Sequence, residues 1–196
     1  MAPLGRLNAS EGMATPLAQE AREKLFATLG SKPVHHTLAN HWARIVELLY
    51  AAERMQELSA DPEIIDPHVR AVPTETPREG IGVVEAPRGT LIHHYQTDEK
   101  GIIRKANLIV ATQNNAARIA LGVGKTAKAL VREGKISEGI LNTVEMVLRA
   151  YDPCLGCATH SLPARMPLII HLRDRQGRIL ATSCRDSEGR VHNDML

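Results

Sequence analysis

The stretch Asp152-Pro153-Cys154-Leu155-Gly156-Cys157-Ala158-Thr159-His160 limits what this chain can be more than any other. Two of its three cysteines stand three residues apart here, a histidine follows three further on, and a carboxylate lies two before the first thiol. Thiolates at that spacing can face one ion across a tight turn, with Gly156 letting the backbone fold closely and Pro153 fixing the entry. Ser137 caps a helix carrying Ile140, Leu141, Val144, Val147 and Leu148, and that helix runs straight into Asp152. The site is therefore expected at a helix end. By residue type alone, C-x-x-C-x-x-H offers one ligand fewer than a closed tetrahedral zinc site. Cys184 can supply the fourth, so a non-catalytic, zinc-stabilised interaction protein using Cys154, Cys157, His160 and Cys184 is one reading. A thioredoxin-like pair should follow a strand and open a helix, whereas this motif ends one.

A chain of 196 residues suits one domain with a real core. With one Trp, one Phe and three Tyr, that core must be built from aliphatic residues and Met, which favours helices packed on each other. The net charge of +2 comes with no basic, aromatic-interleaved run, so nucleic acid is not an expected partner. No run of about twenty apolar residues could span a bilayer, and the first ten residues lack the apolar core of a signal peptide. Few cysteines, two of them in one C-x-x-C, point to a reduced compartment, and a cytoplasmic location is expected.

Residues 1–14 mix Gly, Pro, Ser and Asn without periodicity and read as a disordered lead-in. Thr15-Pro16 predicts a helix start, with Gly30 ending it. Thr37 opens a longer helix whose apolar stripe, Leu38, Trp42, Ile45, Leu49, Ala52, Met55 and Leu58, is expected to face the core. His35, His36 and His41 at its start do not have the i, i+4 spacing of helical metal ligands, and read as exposed or packed imidazoles. After a proline-rich linker, three runs predict a small antiparallel sheet: 82–86, 90–95 and 102–111, the last two joined by a turn at Asp98-Glu99-Lys100-Gly101. Pro87-Arg88-Gly89 reads as a break that throws Arg88 sideways out of the sheet, either at a site or into a surface ion pair. Thr112-Gln113-Asn114-Asn115 leads into a helix with Ile119, Val123, Ala127 and Leu130 on one face. Residues 168–180 read as a hairpin and 187–196 as a frayed end.

Taken together, Glu85-Ala86-Pro87-Arg88-Gly89, Ala111-Thr112-Gln113-Asn114-Asn115 and Asp152-Pro153-Cys154-x-x-Cys157-x-x-His160, in this order, resemble the C-terminal part of the nickel–iron hydrogenase large subunit. The resemblance runs from about Thr37 to Met166 and is nearest to the cytoplasmic bidirectional or cofactor-coupled types, including NAD-reducing and heterodisulfide-reductase-linked enzymes. It implies that Cys154 is a terminal nickel ligand, that Cys157 bridges nickel to an iron carrying carbon monoxide and cyanide, and that His160 helps to bind a magnesium-type ion. It further implies that Arg88 covers the open side of the metals, with Asp152 its acidic neighbour and Pro87 beside the diatomic ligands. Heterolytic splitting of H2 needs a soft, thiolate-rich centre and an adjacent base. Cys154 and Arg88 are both candidates for that base. The related complex I subunit lacks the nickel-binding thiolates, so Cys154 and Cys157 separate the two.

The family's site needs four cysteines, two of them in an R-x-C-G-x-C motif from the N-terminal part of the large subunit, and no such motif occurs here. Half the ligand set is missing. A fragment, a split subunit or a decayed gene product would each look this way, and the isolated chain is expected to be inactive. The resemblance implies as partners the N-terminal half of the large subunit, nickel-insertion proteins, and an iron–sulfur small subunit. A maturation endopeptidase is implied as well, cutting between His160 and Ser161. Residues 1–160 then belong to the large-subunit domain and residues 161–196 to a removable extension, whose six Arg against four acids account for the whole net charge. The expected fold is α+β and mainly helical, a helix bundle with a small antiparallel sheet.

Overall fold

The structure is a computed structural model describing residues 2–30, 32–132, 137–154, 168–186, 188 and 190–195. It falls into two compact units, one ending at Ala116 and one beginning at Ala117. The α+β, predominantly helical character matches expectation, but the described residues form two antiparallel sheets, one in each unit.

The first unit begins with a correction. Residues 3–9 are not a disordered lead-in but a helix, α1 (Pro3–Ala9). Proline at the first helical position loses nothing, and the free Leu4 N–H is satisfied by Asn40 Oδ1 at 3.2 Å. Leu4 and Leu7, three apart, face inward together. Helix α2 (Pro16–Leu29) begins after Thr15 and stops at Gly30, whose φ of 97° ends it as expected. The Thr15 side chain is not the cap. It donates instead to Glu53 Oε2 at 2.6 Å, and Glu53 accepts the free Leu17 and Ala18 N–H groups. Desolvation pushes the Glu53 carboxyl up, but the bonds from Thr15, Leu17 and Ala18 outweigh it and hold the group below the ordinary carboxylate range.

Glu53 belongs to α3 (Ala39–Ser59), against which α1 and α2 pack. The expected core stripe of α3 is largely wrong. Ile45 is 64% and Met55 72% exposed, while Ala39, Ala43 and Val46 are buried. Both faces of this helix are apolar, and the one with alanines lets Leu4, Leu7 and Leu25 approach closely enough to close the core. Burial of Leu7 and Leu25 contributes about 1.5–3 kcal/mol each. His35, His36 and His41 are exposed.

The first sheet runs β1 (Glu79–Ala86), β2 (Gly89–Thr97), β3 (Ile103–Ile109) in sequential antiparallel order. Ile92 pairs with Val83 on one side and Ile109 on the other, and a register shift at Gln96/Thr97 precedes the turn. Asp98 closes that turn by accepting from the Lys100 and Ile102 backbones, and Gly101 takes the φ of 77° that it requires. A 3-10 helix, Ala111–Asn115, packs beside β2 and ends the unit.

In the second unit α4 (Ala116–Leu130) and α5 (Glu138–Arg149) meet where a Cβ on Gly122 would lie 2.8 Å from Val147 Cγ1, a separation that only glycine permits. Ile119, Val123, Ala127 and Leu130 are half-buried as expected, and Leu141 is the buried anchor of α5. The second sheet is β4 (Leu168–Arg173), β5 (Ile179–Arg185), β6 (Val191–Met195). The hairpin of β4 and β5 agrees with expectation; residues 191–195 are not frayed but pair along β5 from Arg185 to Ala181.

Candidate functional site

Arg88 does not leave the sheet sideways from a broken strand. Ala86 pairs with Gly89, so Pro87 and Arg88 alone form the tip of the β1–β2 hairpin. Proline's fixed φ suits the first position of the turn, and Gly89, buried with φ 145°, takes a conformation that a side chain would strain. In the bare sequence the proline looks like an interruption; at a two-residue tip its missing N–H costs the ladder nothing.

Both sides of this tip are held from outside the hairpin. Arg6 of α1, only 11% exposed at its side chain, sets Nε and Nη2 on the two oxygens of Glu47 of α3 at 2.7 and 2.5 Å. The other edge of the same guanidinium donates from Nη1 to the Ala86 carbonyl at 3.2 Å and from Nη2 to the Pro87 carbonyl at 2.9 Å. Glu85 adds a carboxylate 3.5 Å from Nε. On the far side, Asn115 Nδ2 donates to the Arg88 carbonyl at 2.9 Å and Asn114 Nδ2 to the Thr90 carbonyl at 2.8 Å. Clefts of about 530 and 340 Å³ flank the Arg6–Glu47 pair, and Tyr50 lines both.

In the second unit, α5 starts at Ser137, whose Oγ accepts from Ile140 N at 3.4 Å. It ends in buried Ala150 and Tyr151. Glu145 pairs with Arg149 at 3.1 Å and with Arg185 of β5, tying the helix to the second sheet. Asp152 then takes φ 50°, a left-handed conformation that aspartate tolerates better than most residues, and its N–H donates to the Arg149 carbonyl at 3.0 Å. That single residue turns the chain off the helix axis, and Pro153 prevents the helix from resuming. Cys154 follows, half-buried.

Arg88 and Pro87 thus share the hairpin tip of one unit, and Asp152 and Cys154 the helix end of the other. Cys157, His160 and Ser161 lie outside the described residues. Cys184 is a half-buried free thiol in β5, paired across the sheet with Ile169 and His192. Among the described residues no group of three or more His, Cys, Asp or Glu is placed to hold a metal. Cys154 is disulfide-bonded in this structure; once reduced, a cysteine at a helix end, in a segment that also carries a second cysteine and an imidazole, has the donor chemistry that a soft transition metal requires.

The residues that sequence reasoning misses are Arg6 and Glu47; Asn114 and Asn115 stand out there as a motif without a role. Arg6 lies between two core leucines, a position that marks a side chain at the edge of a buried face. Nothing in the sequence identifies partners 41 and 80 residues away.

A family model for nickel-dependent hydrogenases matches residues 2–160. The chain is 51% identical over 181 residues to an F420-non-reducing hydrogenase iron-sulfur subunit of Archaeoglobus profundus, covering 92% of this chain and 37% of that protein. It is 44% identical over 186 residues to the NAD-reducing hydrogenase HoxS subunit beta of Cupriavidus necator, covering 91% of this chain and 37% of that one. Among solved structures, an NAD+-reducing [NiFe]-hydrogenase in the H2-reduced state superimposes with a TM-score of 0.75 at 39% identity, over 81% of this chain and 35% of that one. The chain spans little more than a third of the length of these relatives. No helix among the described residues is long and apolar enough to cross a membrane. On this likeness in sequence and in fold, the chain belongs to the nickel-dependent hydrogenase family.

Proposed function

We propose that this chain is the C-terminal, nickel-binding portion of a hydrogenase large subunit, completed by the portion that carries the other two thiolates and by an iron–sulfur small subunit. The observation that carries the proposal is the helix end at Asp152-Pro153-Cys154, opening a C-x-x-C-x-x-H segment in a chain of this family. In this reading Cys154 and Cys157 would hold nickel, Cys157 would hold the iron as well, and His160 would serve a magnesium-type ion. When bound, a nickel–iron centre with carbon monoxide and cyanide on iron supplies the soft Lewis acidity that polarises H2 and accepts its two electrons. The chain's own part is to take and move the protons. Either the Cys154 thiolate or the Arg88 guanidine is the first acceptor, with Asp152 as the acidic neighbour. Proteolytic removal of residues 161–196 after His160, following nickel insertion, completes the maturation that we infer, in the cytoplasm.

Large apolar side chains left exposed on α3 and the first sheet, among them Ile45, Leu48, Met55, Ile81 and Val83, support the reading that further large-subunit structure packs there. The competing zinc reading needs Cys184. Metal analysis of the chain and of its Cys184→Ser variant separates the two. Nickel bound equally by both is the expected result; about one zinc per chain, lost on substitution, would overturn the proposal.

A further inference from the structure

We propose that Arg6, anchored by Glu47, is a positioning residue for Arg88, acting on the hairpin tip as one jaw of a clamp whose other jaw is Asn114-Asn115. The inference rests on the proposed role of Arg88. Its basis is the accounting of carbonyls at the tip. Ala86, Pro87, Arg88 and Thr90 each have a carbonyl held by a side chain from outside the hairpin, and the first two share one guanidinium. A two-residue turn held only by its own strand ladder is free to rock about it. With its carbonyls pinned on both sides, the backbone from which Arg88 projects has one setting.

The geometry is specific to arginine. One edge of the Arg6 fork is spent on the Glu47 carboxylate, and the opposite edge, sharing Nη2, reaches two successive carbonyls. Lysine in its place keeps the charge and most of the apolar stem, but its point ammonium cannot bridge a carboxylate and two carbonyls in a fixed plane. Glu47 fixes the plane of the fork by accepting two parallel bonds, so α3 supplies the reference against which the tip is held. Because α1 and α3 meet through the buried core, that reference is rigid. In this role Arg6 works only through the backbone of 86–88.

The test is Arg6→Lys, read in two ways. In the full chain, amide hydrogen exchange over residues 86–90 should accelerate by roughly tenfold while the centres of β2 and α3 are unchanged, since only local opening is made easier. In the enzyme assembled with the completing large-subunit portion and small subunit, kcat for H2 should fall by about tenfold at unchanged KM, the signature of lost preorganisation. Placed on top of Arg88→Lys, the same change should cost less than about twofold, because a residue acting through Arg88 has nothing left to position. Unchanged exchange at the tip, or full additivity with Arg88→Lys, overturns the proposal. If the parent assembly does not turn over H2, the hydrogenase reading has failed, and the exchange result still decides whether Arg6 holds the tip. Should Arg6→Lys reduce the yield of folded chain, Glu47→Gln, which loosens the anchor and keeps the arginine, gives a smaller acceleration at the amides of Ala86, Arg88, Gly89 and Thr90.

Discussion

Arg88→Lys in the assembled enzyme is expected to lower kcat for H2 by about 10²–10³-fold, the usual consequence of removing a preorganised charged donor beside reacting atoms. The proposed role of Arg88 is supported by the tip's buried glycine at φ 145° and four externally held carbonyls, features an ordinary surface turn does not need. Lysine retains the charge but not the planar fork, so the loss measures what the guanidinium's shape contributes.

Cys154→Ser is expected to do more. A serine hydroxyl is a hard, undissociated donor where a soft thiolate is required, so the assembled enzyme should retain no nickel and show no H2 turnover. That loss should exceed the roughly 10–100-fold that follows from disturbing a residue behind a metal ligand. The fold should survive, because Cys154 comes after the anchoring Ala150 and Tyr151 and is itself only half-buried. Nickel content by elemental analysis and an unchanged unfolding temperature together check the prediction.

Features that depend on neighbours in sequence are legible without the structure. The start and stop of α2, the face of α5 and the Asp98–Gly101 turn each follow from capping, periodicity or a glycine at positive φ. Features set by distant partners are not. The face of α3 that becomes core is chosen by Leu4 and Leu25, because periodicity alone fits either apolar side of that helix. Residues 3–9 have no local signal strong enough for a helix, and fold as one because Asn40 caps them and two leucines are buried. At the site, the C-x-x-C-x-x-H segment and Arg88 stand out by residue type. Arg6, Glu47 and Asn115 do not, since what they do is defined by carbonyls far along the chain.

Whether this chain supplies one part of a divided ligand set is decided by H2-dependent dye reduction. The purified chain alone should reduce no dye. Assembly with a large-subunit portion carrying the R-x-C-G-x-C motif, nickel-insertion proteins and an iron–sulfur small subunit should give turnover that disappears with Cys154→Ser. Dye reduction by the chain alone, or none from the complete assembly with nickel bound, would show that the ligand set is not divided in this way.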